Sequence, residues 1–331
     1  MFNKALWIKE WKQNGLLWLM PILAFFGVTS TRLSYVMDSE NSKLMNLKMF
    51  QEQGADSFYL ATNNTYGTII MLVVFLCWLG VNQIGAERKN LMNDFTFSLP
   101  YKRWEIYLNK FTVGFVTLAA SLVIATIIDM AIVLFSPFGM FFSPSIHIYE
   151  AVVCLSILTA FYSSLLLVGT MTGGSSMQLL LTIIFNLFPV LFAGLVLYFV
   201  EVNFGAENFL PNMDFGNMFM MLYSTPFLMY LGHIYPEFSV IPVILYSVVC
   251  LGLGTFLYNR SKLENNGKML LFAKLETIFH FGVTICFALL GGMFAVVVSE
   301  ETILHYYIGF IIFGLLAFFG FNYIKKVRFK G

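Results

Sequence analysis

Residues 85–110 read GAERKNLMNDFTFSLPYKRWEIYLNK, and this stretch settles the architecture of the chain. Glu87, Arg88, Lys89, Asp94, Lys102, Arg103, Glu105 and Lys110 crowd into it, whereas 66–86 just before Glu87 and 111–128 after it carry no charged side chain. Uncharged helical runs of about 20 residues match the hydrocarbon thickness of a bilayer. The island is therefore expected to join two membrane spans. In its middle, Ser98-Leu99-Pro100 punctuates any helix, because proline lacks a backbone donor and clashes with the preceding turn.

Composition agrees along the whole chain. Its 331 residues are 59% hydrophobic, 18% aromatic and 11% charged, with a mean hydropathy of +0.78, whereas soluble domains run at about 25% charged. The expected fold class is all-α, a polytopic helical membrane protein. Eight spans can be read, at about 15–35, 66–86, 111–136, 150–172, 178–200, 238–259, 278–298 and 304–324. An even number puts both termini on one side. With the N-terminus inside, the inner segments collect Lys4, Lys9 and Lys12, then the basic residues of the island, then Arg260, Lys262, Lys268 and Lys274, then Lys325, Lys326, Arg328 and Lys330. Only Arg32, Lys43 and Lys48 of the 19 lysines and arginines remain, and they are assigned to the first outer loop. Cytoplasmic loops of membrane proteins carry this excess of lysine and arginine, so the termini and the island are placed in the cytoplasm and the chain in a plasma membrane.

Several stretches refine the outline. Leu6, Trp7, Ile8 and Trp11 alternate with Lys4, Lys9, Glu10 and Lys12, the pattern of an interfacial helix lying on the inner face. Residues 218–235 are apolar enough for a further span, but Pro226 breaks them and a crossing there would put the basic residues of 260–274 outside. They are read as a re-entrant or interfacial segment on the outer face. Residues 36–65 form a polar outer cap. The glycine- and serine-rich 170–176 forms a tight inner turn between spans four and five.

Chemistry-bearing motifs are few. A phosphate-binding loop needs Gly-x-x-x-x-Gly-Lys-Ser/Thr, and the Gly267-Lys268 pair is followed by Met269. No catalytic site, metal site or bound cofactor is expected, nor a nucleic-acid partner. Cys77, Cys154, Cys250 and Cys286 all fall in apolar runs and read as packing or lipid-facing residues. His147, His233, His280 and His305 lie at span ends or in outer loops and read as solvated. Asp129 is the one acid well inside a span, where such residues face a cavity or a partner. It is either a polar site within the membrane or an acid within reach of the outer interface, while Glu150 and Glu201 read as ordinary interfacial residues.

The island also carries a resemblance. An interfacial N-terminal helix, Glu87 and Arg88 at the end of span two, Phe97-Ser98-Leu99-Pro100, and then Lys102-Arg103-Trp104-Glu105-Ile106 and Lys110 leading into span three resemble the membrane subunits of ABC-2-type ABC transporters. The last spans, after the linker from Tyr258 to Gly267, are similar to the eight-span Ytr-type permeases of Gram-positive bacteria. The resemblance implies an ABC-2-like core over 1–260, with an outer broken segment at 209–235, and two added spans within 261–331. It implies an exporter permease without catalysis of its own. ATP and magnesium would be held by a separate cytoplasmic ATPase docking on Glu87, Arg88, Ser98, Leu99, Pro100, Lys102, Arg103, Trp104 and Glu105. A second permease would complete the pathway. An amphipathic peptide or lipid-like cargo suits the apolar outer surface, which lipid contact explains equally well. A sensor or scaffold subunit built on the same loop, and an ATP-independent carrier or channel, are the alternatives. The carrier would be expected to show more intramembrane charge and an internal repeat.

Overall fold

A computed structural model describes residues 4–90, 92–204, 240–261, 271, 273–299 and 303–328. The segment 209–235, and residues 262–267 of the linker from Tyr258 to Gly267, lie outside the described residues. Within them the chain is all α-helical, with no strand. Eight helices are long and apolar enough to cross a membrane, in the order read from the sequence. The chain is a multi-pass membrane protein.

Helix α1 (Lys4–Gln13) is the short amphipathic helix, and it buries Leu6 and Glu10. Span one is α2 (Leu19–Met37). The outer cap folds as α3 (Glu40–Gln53) and α4 (Ala55–Thr62). They meet at Gly54, whose φ of 93° lets its N–H return to the Phe50 carbonyl at 2.9 Å, a left-handed conformation that favours glycine. Polar as this cap reads, it has an aromatic centre. Phe58 stacks on Phe138 and Phe141 at 5.5 and 5.7 Å, and Phe50 meets Phe58 edge-on at 5.5 Å. Ring pairs of this kind add about 0.5–1.5 kcal/mol beyond area burial, which helps to order the cap.

Span two is α5 (Thr65–Gly80), continued through a π-helical turn (Val81–Ala86) into α6 (Glu87–Lys89). Then come α7 (Met92–Ser98) and α8 (Arg103–Leu134). Helix α8 has 32 residues; at 1.5 Å per residue it runs about 48 Å, longer than the roughly 30 Å hydrocarbon core. Its first turns therefore belong to the inner loop and are continuous with span three. After a 3-10 turn (Pro137–Phe141) follow α9 (Pro144–Met171) and α10 (Ser175–Phe204). The last three are α11 (Ile241–Arg260), α12 (Ala273–Ser299) and α13 (Ile303–Arg328).

The described helices divide into two units. The first runs to Thr182 and includes α11. At its centre is α9, the most buried of the spans, with α5, α8 and α11 around it and α2 packed on α5 and α8. The second comprises α10 from Ile183, with α12 and α13. There the backbones of α12 and α13 approach at Gly291 and Gly309; a Cβ on Gly291 would lie 2.6 Å from the Gly309 carbonyl oxygen. Small residues are how membrane helices pack closely where no hydrophobic effect drives them together. Tyr306, fully buried, packs beside Phe199 at 5.9 Å, and Tyr307 Oη donates to Asn203 Oδ1 at 2.7 Å.

Candidate functional site

The charged island folds into an elbow with an inner and an outer face. Its inner face is built around Lys110, which is 0% exposed. Lys110 Nζ lies 2.8 Å from Glu10 Oε1 and 2.9 Å from Glu87 Oε1. Lys9 Nζ closes the figure at 2.9 Å from the same Glu87 oxygen and donates to Thr96 Oγ1 at 3.0 Å. Two lysines and two glutamates thus join α1, α6, α7 and α8. Helical spacing explains the two charges of α1. Trp11 and Ile8 point out, whereas Leu6 and Glu10, four apart, share the buried face. Gln83 Nε2 in the π-helical turn donates to the Lys110 carbonyl at 3.1 Å, and Tyr162 Oη donates to Gln83 Oε1 at 2.5 Å. A π-turn shifts the register of the helix after it and recurs at functional sites.

Two arginines tie the elbow to other spans. Arg88, 2% exposed, donates Nη1 to the carbonyls of Gly169 (2.7 Å) and Thr172 at the end of α9. Arg103 donates Nη1 to the Ser261 carbonyl at 2.7 Å, at the end of α11, and its guanidinium sits 4.5 Å over the Phe97 ring. A cation at a helix C-terminus complements both the free carbonyls and the helix dipole. On the outer face Met92, Phe95 and Trp104 are 45%, 64% and 42% exposed. Ser98, Pro100 and Lys102 are exposed too, with Leu99 partly so. Glu105 accepts from the Lys102 N–H at 3.1 Å, one half of a capping box that starts α8.

The structure therefore divides the island residues singled out in the sequence. Glu87 and Arg88 have buried side chains with internal partners; Ser98, Leu99, Pro100, Lys102 and Trp104 face out; Arg103 and Glu105 are half-buried and hold local structure.

Asp129 sits in a second cluster, at the other end of α8. Arg32 bridges it, donating Nη1 to Asp129 Oδ2 and, at 2.7 Å, Nη2 to Glu150 Oε2. His147 is 1% exposed, with Nδ1 2.9 Å from the Ser143 carbonyl oxygen and Nε2 3.4 Å from Asp129 Oδ2. The Arg32 guanidinium also lies 5.5 Å over the Tyr59 ring. Three sequence readings are corrected here. Arg32 belongs to span one and not to the outer loop, because a buried carboxylate partner offsets the cost of its charge. Glu150 is a partner of Arg32, not an ordinary interfacial acid, and His147 is buried where a solvated ring was expected. The available signal was a lone arginine and a lone aspartate, both near the outer ends of spans. Among the described residues no group of histidine, cysteine and carboxylate side chains is arranged to hold a metal ion.

Known proteins with related sequences bear on this arrangement. The chain is 26% identical over 220 residues to a probable ABC transporter permease, YtrD, of Bacillus subtilis (strain 168). It is 28% identical over 214 residues to a second, YtrC, of the same organism. It is similar to two probable ABC transporter permeases. In each case the match covers 62% of this chain, and 62% and 61% of the respective relative, so this chain spans under two thirds of either. No family model matches, and no solved structure does.

Proposed function

We propose that this chain is the permease subunit of an ATP-binding cassette exporter, paired with a second permease and driven by separate cytoplasmic ATPase subunits that hold ATP and magnesium. The observation that carries this reading is the two-faced elbow. Its outer face presents Phe95, Lys102 and Trp104 on the side that charge placement assigns to the cytoplasm. Its inner face is fastened to α1 through Glu10, to α9 through Arg88 and to α11 through Arg103. A protein that gripped the outer face would move the ends of several helices together, because buried ion pairs and carbonyl caps make the elbow one piece. Such displacement suits a bistable helical core.

Co-purification with candidate ATPases encoded beside the gene, followed by ATP hydrolysis and transport in vesicles, tests the reading. Trp104→Ala and Lys102→Glu should weaken ATPase association at least tenfold while leaving thermal stability unchanged, since buried tryptophans at interfaces are typical hot spots worth about 2 kcal/mol or more. Arg103→Glu is a poor probe, because it also uncaps α11. If no ATPase binds the intact chain, the permease reading fails. If one binds and both variants hydrolyse and transport normally, docking is elsewhere.

A further inference from the structure

The outer cluster has a hydrogen-bonding conflict that one proton resolves. The Ser143 carbonyl can only accept, so His147 Nδ1 must carry the hydrogen between them. Nε2 of the neutral ring then holds a lone pair, and what faces it at 3.4 Å is Asp129 Oδ2, another acceptor. Charge points the same way. Arg32 supplies one positive charge against two carboxylates, Asp129 and Glu150, and among the described residues the surroundings supply no other. From α4 comes the neutral Tyr59, from α9 Cys154 in addition to His147 and Glu150, and from α5 and the residue before it the uncharged Thr65, Thr68 and Asn64. The ring of Phe142, 5.7 Å away, covers His147. Asp129 is 0% exposed, its Oδ1 has no hydrogen-bond partner among the described residues, and it lines a cavity of about 20 Å³ with Arg32, Thr126 and His147.

We propose that this cluster is a proton-binding site: one proton from the outer aqueous side is held between His147 Nε2 and Asp129, and the cluster is neutral only when it is loaded. On uptake an N–H bond forms at Nε2, and the imidazolium pairs with the Asp129 carboxylate. Net charge among Arg32, Asp129, Glu150 and His147 goes from −1 to zero, and no other bond changes. The site lies near the outer ends of α2, α8 and α9, so a proton need not cross the bilayer to reach it. The inference stands on this geometry alone, whether or not an ATPase docks on the elbow.

The test uses the full-length chain in phosphatidylglycerol–phosphatidylcholine vesicles, with ¹⁵N-labelled histidine, taken from about pH 4 to about pH 9 to span the carboxylate and imidazole ranges. His147→Gln assigns the His147 signals, and proton uptake per chain is counted in parallel. In the wild type, His147 should pass from the Nδ1–H ring to a doubly protonated one, with one proton taken up. Asp129→Asn should lose that event, because its amide can donate to Nε2. Glu150→Gln should lose it too, since it removes the excess charge without touching the Asp129–His147 pair, so the test survives if one variant fails to fold. Equal uptake in wild type and folded variants, with a His147 signal that never changes, would overturn the proposal and leave a neutral donor between the two acceptors.

Discussion

Helix α8 carries a buried charge at each end, and the two are treated differently. Lys110 and Asp129 are 19 residues apart, about 28 Å along a helix, close to the thickness of the hydrocarbon core. At the inner end the ion-paired charges balance, Lys9 and Lys110 against Glu10 and Glu87, and each lysine touches both glutamates, while Arg88 donates to backbone carbonyls. At the outer end Arg32 faces two carboxylates and a histidine, beside a cavity. A balanced, closed cluster has one good arrangement and holds helices in place. An unbalanced one beside a cavity has two charge states and so can respond. The same physics, burial without water to share the cost, gives a fastener at one end and a responsive site at the other.

The sharpest way to break that comparison is to remove the central cation at each end. Lys110→Met strands Glu10 and Glu87 at full burial, and breaking a buried pair in this way costs about 3–5 kcal/mol. We expect the largest loss of thermal stability there, read by unfolding in detergent, and partial recovery in Lys110→Met/Glu10→Gln. Arg32→Met is the outer counterpart. It should fall at the low end of the same range, about 3 kcal/mol, because the Glu150 side chain keeps 13% of its surface exposed and is less completely stranded than Glu10 or Glu87. If Arg32→Met proves the more damaging, the outer cluster is the fastener and the assignment of roles is reversed.

The large-scale order was legible because it rests on composition. Long uncharged runs and the sidedness of lysine and arginine give the eight spans, and Ser98-Leu99-Pro100 marks the break between α7 and α8 seen in the structure. What escaped was pairing between distant positions. Lys9 and Glu87 are 78 residues apart and Arg32 and Asp129 are 97 apart, and local pattern does not report such separations. Lys110, Glu87 and Arg88 read as parts of one charged inner loop, because charge density says nothing about which side chains turn inward. The cap over 36–65 misled for the opposite reason: its two phenylalanines, Phe50 and Phe58, make a core only once Phe138 and Phe141 arrive from the turn that follows α8.

Lys9 gives the smallest effect and the finest test of the inner end. It shares Glu87 with Lys110, yet its side chain is 21% exposed where that of Lys110 is 0%. In Lys9→Met, Glu87 keeps its 2.9 Å contact with Lys110, and Thr96 keeps its bond to the Met92 carbonyl. Water can approach the vacated position, so the loss should resemble that of an exposed pair, about 0.2–1 kcal/mol. It should also shrink as ionic strength rises, since screening reaches exposed charges and hardly touches buried ones; the Lys110→Met deficit should not change with salt. Were Lys9→Met to cost as much as Lys110→Met, insensitive to salt, the four charges would act as one indivisible unit. Burial of the individual side chain would then no longer explain why the inner end of α8 is held so firmly.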